Sequence, residues 1–239
     1  MKIISAVLPS ARLGIILSSG NWTLETYFRA YAPAELGIHV TRMRMGSGGE
    51  RGPAEIEADA LQCARLLADA QVDLIDLQGT GIMMERGPDG EAGMVAAIED
   101  ATGTPAYTAT GAVVEALRAL HMRRLVLIGP YGEAAIGRES AFLEAAGYSV
   151  VHAIGLARGL QSNQWVATAV AHDRADADGV FLSGSNTRMV EAIAPIEEAL
   201  GKPAITSVQA ALWAGVQRLL PKLSNPPTAA ALGRLFAKL

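Results

Sequence analysis

Short runs of β-branched and aliphatic residues alternate along this chain with longer stretches in which apolar positions recur at helical spacing. Runs of the first kind predict strands over residues 12–17, 37–43, 72–77, 106–108, 125–128, 149–154, 179–182 and 204–206. Helical patterns fill much of the space between them, over 53–70, 91–101, 112–120, 133–146, 187–200 and 208–219. Pro53 suits a first helical turn, and Gly103, Gly147 and Gly201 suit helix ends. Strands that alternate with helices in this way build parallel sheets covered by helices.

The pattern also repeats. Arg12-Leu13-Gly14-Ile15-Ile16-Leu17-Ser18-Ser19-Gly20 matches the stretch from Arg124 to Gly132, and Asp73 to Gly81 matches Asp178 to Asn186. Gly103-Thr104-Pro105-Ala106-Tyr107-Thr108 matches Gly201-Lys202-Pro203-Ala204-Ile205-Thr206. Order is kept while the spacing between copies shrinks, as shorter connectors in the second copy would produce. The expected fold is therefore α/β, with two repeated Rossmann-like halves. Each is a four-stranded parallel sheet flanked by helices, and the site lies in the cleft between them. The halves are expected over 1–108 and 109–207, with a C-terminal helix over 208–239 packing back on the first.

Composition narrows the function. The chain has 239 residues and a formal net charge of −4, with no basic surplus to hold a phosphate backbone, which argues against nucleic-acid binding. Its apolar runs are too short to span a bilayer, and the first ten residues make no convincing signal peptide. A cytoplasmic location is expected, and the Asn21-Trp22-Thr23 sequon is read as accidental. The single cysteine, Cys63, excludes an internal disulfide and a cysteine metal cluster. It falls among leucines in the pattern over 53–70 and reads as a core residue.

Ligands of open parallel sheets bind beyond the carboxyl ends of the strands. Here those loops are 18–22, 78–81, 130–132 and 183–187, nearly all Gly, Ser, Thr and Asn. Such loops let the backbone approach a ligand and present free amides to an anion. There is no Walker sequence, and Gly79-Thr80-Gly81 lacks the third glycine of a dinucleotide fingerprint, so no cofactor and no metal is expected. Gly46-Ser47-Gly48-Gly49 reads as a mobile loop or a plain connector.

At these loops the chain resembles the aspartate/glutamate racemase superfamily, in particular its maleate isomerase and arylmalonate decarboxylase branch. Five segments between about Arg12 and Trp213 carry the resemblance. Ser18-Ser19-Gly20-Asn21-Trp22-Thr23-Leu24-Glu25 is similar to the first substrate loop, with Asn21 as its asparagine. Gln78-Gly79-Thr80-Gly81, followed by Arg86-Gly87, is similar to the first cysteine loop. Pro130-Tyr131 resembles the loop whose tyrosine binds the substrate carboxylate. Leu182-Ser183-Gly184-Ser185-Asn186-Thr187-Arg188 resembles the second cysteine loop, and Thr206-Ser207-Val208-Gln209-Ala210 with Trp213 the closing helix. Two departures stand out. Gly79 occupies the first cysteine position, as in the decarboxylases, and Gly184 occupies the second, where both activities keep a thiol.

The resemblance implies a small carboxylate substrate, and the two departures imply chemistry without a thiol. Loss of carbon dioxide needs one carboxylate in an apolar pocket and hydrogen-bond donors on the developing enediolate. Thr80, the Gly81 amide, Tyr131 and the amides around Gly184 and Ser185 are the expected donors. Tyr131, Ser185 or water is the expected proton source. Asn21, Gly79, Gly81, Gly184 and Asn186 are expected to shape the binding loops, although Asn21, Asn186 and Thr80 read equally as helix caps. Leu17, Met43, Met45, Met83 and Met84 are candidates for the apolar wall, and Glu85 for a nearby acid or base. Arg86 and Arg188 read as solvated or ion-paired, His152 as a satisfied strand residue, and the remaining histidines as separate. A cis–trans isomerase and a non-catalytic binding relic are the competing readings. Self-association is compatible with the fold.

Overall fold

A computed structural model of the chain describes residues 8–45, 51–157, 159–225 and 230–239, with the backbone alone for 80–86, 88 and 230. The glycine-rich stretch over 46–49, Met83, Met84, Glu85, Arg86 and the Thr80 hydroxyl thus lie outside the described groups.

All eight expected strands form, each within two residues of the predicted bounds. They are β1 (Ala11–Ser18), β2 (Leu36–Met43), β3 (Leu74–Leu77), β4 (Ala106–Thr108), β5 (Arg124–Gly129), β6 (Ser149–Gly155), β7 (Gly179–Leu182) and β8 (Ala204–Thr206). They build two four-stranded sheets, ordered β2-β1-β3-β4 and β6-β5-β7-β8, and every pairing is parallel. The two sheets have the same strand order, as a duplicated unit requires.

The helices are α1 (Leu24–Tyr31), α2 (Pro53–Asp69), α3 (Thr80–Thr102), α4 (Ala109–Ala119), α5 (Glu133–Ala145), α6 (Ser162–His172), α7 (Ile193–Leu200), α8 (Ser207–Leu219) and α9 (Gly233–Phe236). Matching caps mark the repeat. Thr108 Oγ1 accepts the Gly111 N–H at the start of α4, and Thr206 Oγ1 accepts the Gln209 N–H at the start of α8, both at 2.9–3.0 Å. The Glu99 carboxylate accepts the Ala106 N–H, and Glu197 does the same for Ala204.

Three expectations are corrected. The pattern over 187–200 is helical only from Val190, first as a 3₁₀ turn, because Asn186 and its neighbours are drawn into contacts with the first half. Helix α3 starts at Thr80 rather than near 91 and is interrupted at Gly87, whose φ of 72° and ψ of 177° are not helical. The segment 208–239 is not one helix, because Pro221 lacks the N–H to continue α8 beyond Leu219. Residues 230–236 instead lie against α7 and β8 of the second half, where Glu197 accepts the Arg234 N–H at 2.9 Å.

Alternation along the strands sorts the side chains. Leu13, Ile15 and Leu17 of β1 join a large core shared with α1, α4, α8 and the second sheet. Ile16, with Ile75 and Leu77 of β3, faces a smaller core beneath α2 and α3 that also holds Cys63. Asp76 and Gln78 therefore share the face of Leu74, toward the large core.

Candidate functional site

The two sheets bring their carboxyl ends together. Loops after β1, β2, β5 and β7 enclose a cleft of about 410 Å³, lined by Ser18, Ser19, Gly20, Met45, Pro130, Tyr131, Ser185, Asn186 and Thr187. None of these lining residues is charged, so an anion there meets neutral hydroxyl and amide donors.

The loop after β1 is stitched to the loop after β7. Asn21 is 2% exposed, and its Nδ2 donates to the Ser185 carbonyl at 3.0 Å and to Ser185 Oγ at 3.2 Å. Its Oδ1 accepts the Thr23 and Leu24 N–H groups, both at 3.1 Å, which secures the entry to α1. Asn186 answers from the other side. Its Oδ1 accepts the Trp22 N–H at 3.1 Å, and its Nδ2 donates to the Gly20 carbonyl at 3.2 Å. Thr23 Oγ1 donates to the same loop, at the Ser185 carbonyl. The Asn21 side chain thus caps and bridges, with its amide hydrogens directed at Ser185.

Both glycines at the expected cysteine positions share one backbone geometry. Gly79 has φ 137° and Gly184 has φ 132°, a region that disfavours any residue with a Cβ. A Cβ on Gly184 would sit 3.3 Å from Tyr131 Oη and 3.3 Å from Pro130. The tyrosine hydroxyl therefore borders the space that a side chain at 184 would fill. The Gly184 N–H donates to Ser207 Oγ at 3.0 Å, which ties this turn to the first residue of α8.

The expected site residues divide by place. Tyr131, Ser185 and Asn186 line the cleft, Asn21 lies behind it, and Gly184 abuts Tyr131. Gly79 and Gly81 lie at the start of α3 and are not among the lining residues above. Of the apolar-wall candidates, Met45 lines the cleft, whereas Leu17 and Met43 are spent in the cores. Arg188 donates to Gln161 Oε1 at 3.1 Å and is absent from the lining. His152 and His172, which the sequence separates, stack with 3.1 Å between ring nitrogens, away from the cleft. Among the described residues, no group of three or more His, Cys, Asp or Glu could hold a metal ion. In the same set, no helix is long and apolar enough to cross a membrane.

The sequence reading missed two buried carboxyls next to the site turns. Asp76 is fully buried, and burial raises it from 3.8 to about 7. Glu139 of α5 is 3% exposed, lies near Ser183, and is raised by burial from 4.5 to about 7. A single acidic residue inside an otherwise apolar strand, Leu74-Ile75-Asp76-Leu77, was the available signal for the first.

Comparison with known proteins fits this geometry. The arylmalonate decarboxylase family model matches residues 41–236. The chain belongs to the arylmalonate decarboxylase family. It is 31% identical over 193 residues to arylmalonate decarboxylase of Bordetella bronchiseptica, covering 77% of this chain and 80% of that one. It is 28% identical over 242 residues to maleate isomerase of Nocardia farcinica, covering 94% and 95%. A solved structure of the Nocardia farcinica maleate cis-trans isomerase, a serine variant with a covalently bound succinylcysteine intermediate, superimposes with a TM-score of 0.84. It covers 95% of this chain and 98% of that one at 25% identity. The family thus joins lyases and isomerases on this fold.

Proposed function

We propose that this chain is a cysteine-independent enzyme of the family that removes carbon dioxide from a small malonate-type acid. The carrying observation is the environment of Gly184. Gly184, the expected second cysteine position, has a φ that favours glycine, with Tyr131 Oη near the space a Cβ would fill and a cleft of neutral donors in front. Decarboxylation breaks the bond between the α-carbon and one carboxyl group, leaving the electron pair on the remaining carboxylate as an enediolate. Preorganised hydroxyl and amide donors favour that developing charge over the ground state. In this reading the Tyr131 hydroxyl and the backbone around Ser185 take this role, with the Gly81 amide as the first half's contribution. A proton delivered to the α-carbon from Tyr131, and regained from water, closes the cycle.

Isomerisation through a thiol adduct is the weaker reading. The related isomerase above carries a succinyl group on cysteine, whereas the sole thiol here is buried in the second core, with Ile56, Ala60 and Leu67 in the same cluster. Burial also pushes the Cys63 thiol up, away from the reactive thiolate.

The test is proton NMR in heavy water with phenylmalonate, methylmalonate and maleate. Carbon dioxide loss from a malonate, reduced at least about 100-fold in Tyr131→Phe, is the expected result. Full activity in Tyr131→Phe would overturn the assigned role. Binding without turnover across the panel would replace the enzyme with a binding protein.

A further inference from the structure

The strand that leads into the first glycine turn carries a buried polar pair that the proposed reaction does not use. Asp76 and Gln78 lie two residues apart on one face of β3 and its extension, immediately before Gly79. Gln78 Nε2 donates to Asp76 Oδ2 at 2.6 Å, and both side chains are at most 1% exposed. Asp76 Oδ1 and Gln78 Oε1 have no hydrogen-bond partner, so the pair holds two buried acceptors without donors.

The Gln78 amide, the Tyr107 hydroxyl and the Arg218 charge favour a carboxylate at Asp76, but burial outweighs all three. On β4, Tyr107 is beside it, but its one hydroxyl proton goes to the Ala211 carbonyl at 2.9 Å. On α8, Arg218 lies over the Tyr107 ring, 4.9 Å from its centre. That guanidinium is committed to the Glu115 carboxylate of α4 through contacts of 2.9 and 2.6 Å. The facing residue on β1 is Ile15, and the adjoining side chains on β3 itself are aliphatic. A buried carboxylate with one amide donor is costly, whereas a carboxylic acid brings its own donor to a site rich in acceptors. The 2.6 Å contact equally fits an acid hydroxyl donating to the Gln78 amide oxygen, since the two ends of the amide are interchangeable in such an assignment.

We propose that Asp76 is a positioning residue of the site: a neutral buried acid that fixes Gln78 and, through it, the Gly79 turn that opens the first ligand loop. Its placement in a functional loop rests on the reading above, which takes the Gly81 amide of this loop as a donor to the substrate. When Asp76 ionises, the uncompensated charge drives the side chain toward water or toward a new donor. Gln78 follows, and the turn at Gly79 loosens while the rest of the sheet stays paired. Ligand affinity then falls on the alkaline side through this turn, and burial, which raises Asp76 to about 7, sets the midpoint.

The experiment compares the full chain with Asp76→Asn and Gln78→Met at pH 6 and pH 8.5. Hydrogen exchange of the amides from Gln78 to Ile82 reads the turn without any ligand, and calorimetry with phenylmalonate reads affinity. At pH 8.5 the turn of the wild type should exchange roughly tenfold faster than that of Asp76→Asn, with the two alike at pH 6. Phenylmalonate affinity of the wild type should weaken roughly fivefold more than that of Asp76→Asn over the same range. Gln78→Met keeps the acid but cuts the link, so global melting should retain its pH dependence while the turn loses its own. Equal pH dependence of turn exchange in all three proteins would overturn the proposal, as would a pH-sensitive turn in Gln78→Met. Failure of phenylmalonate to bind any of them would count against the substrate reading, with the exchange data still deciding the role of Asp76.

Discussion

The two glycine turns share a backbone and differ in what holds them. Gly79 and Gly184 have nearly the same φ, and each follows a four-residue strand at the centre of its sheet. The second turn is tied through its N–H to Ser207, and Tyr131 stands against it. In the repeat, the first turn has Ala109 where the second has Ser207, and Ser19 where the second has Tyr131. On the strand before it, the Gln78 amide and the Asp76 carboxyl are instead bonded to each other. The repeat thus keeps one backbone geometry at both turns while the side chains around it differ. The chemistry is therefore expected to be lopsided, with proton transfer on the Tyr131 side.

The largest expected effect breaks that asymmetry directly. Tyr131→Phe should lower the turnover of an active malonate by at least about 100-fold, while Ser19→Ala should cost less than about fivefold, measured by steady-state kinetics. Comparable losses in both would make the site symmetric and the comparison void.

Next come the bonds that join the halves. Asn21→Ala removes two donors to Ser185 and the cap of α1, leaving buried backbone groups unpaired. A loss of about 2–3 kcal/mol in urea unfolding is expected. The turns themselves sharpen the picture further. Gly184→Ala should cost about 1–3 kcal/mol, because the alanine adopts a φ reserved for glycine and its Cβ meets Pro130 and Tyr131.

The buried acids set a pH dependence with a definite sign. Asp76 and Glu139 both bind protons more tightly when folded than when unfolded. Their effect on stability is therefore absent below about pH 4. It becomes unfavourable as pH rises toward 7, and is fully developed above that. Asp76→Asn should raise the melting temperature at pH 8 by ~4 °C or more and change it little at pH 4, as read by scanning calorimetry. A uniform shift at both values would show that Asp76 is ionised throughout. The smallest effect belongs to the Glu115–Arg218 pair, which is about one-third exposed on both sides. Glu115→Gln should cost only about 0.5 kcal/mol.

Much of this fold was legible because strand cores such as Leu125-Val126-Leu127-Ile128 are short, continuous and repeated. Helices α1 and α6 leave no clear pattern in the sequence. The first is only eight residues long, and the second buries only Trp165 and Ala169, which leaves little periodicity to read. The loops of the site were legible as Gly, Ser and Asn clusters at strand ends. What they do to each other was not, since Asn21 and Ser185 are 164 residues apart and meet only after both sheets form. Asp76 was hidden for a related reason. Its burial depends on α8, which enters more than a hundred residues later.

Catalysis without a thiol is tested by removing the one cysteine of the chain. Phenylmalonate decarboxylation is followed by proton NMR in the wild type and in Cys63→Ala, with matched melting curves as the control for folding. Carbon dioxide loss is expected in both, at rates within about twofold. Activity in the wild type that vanishes in a folded Cys63→Ala would contradict catalysis without a thiol.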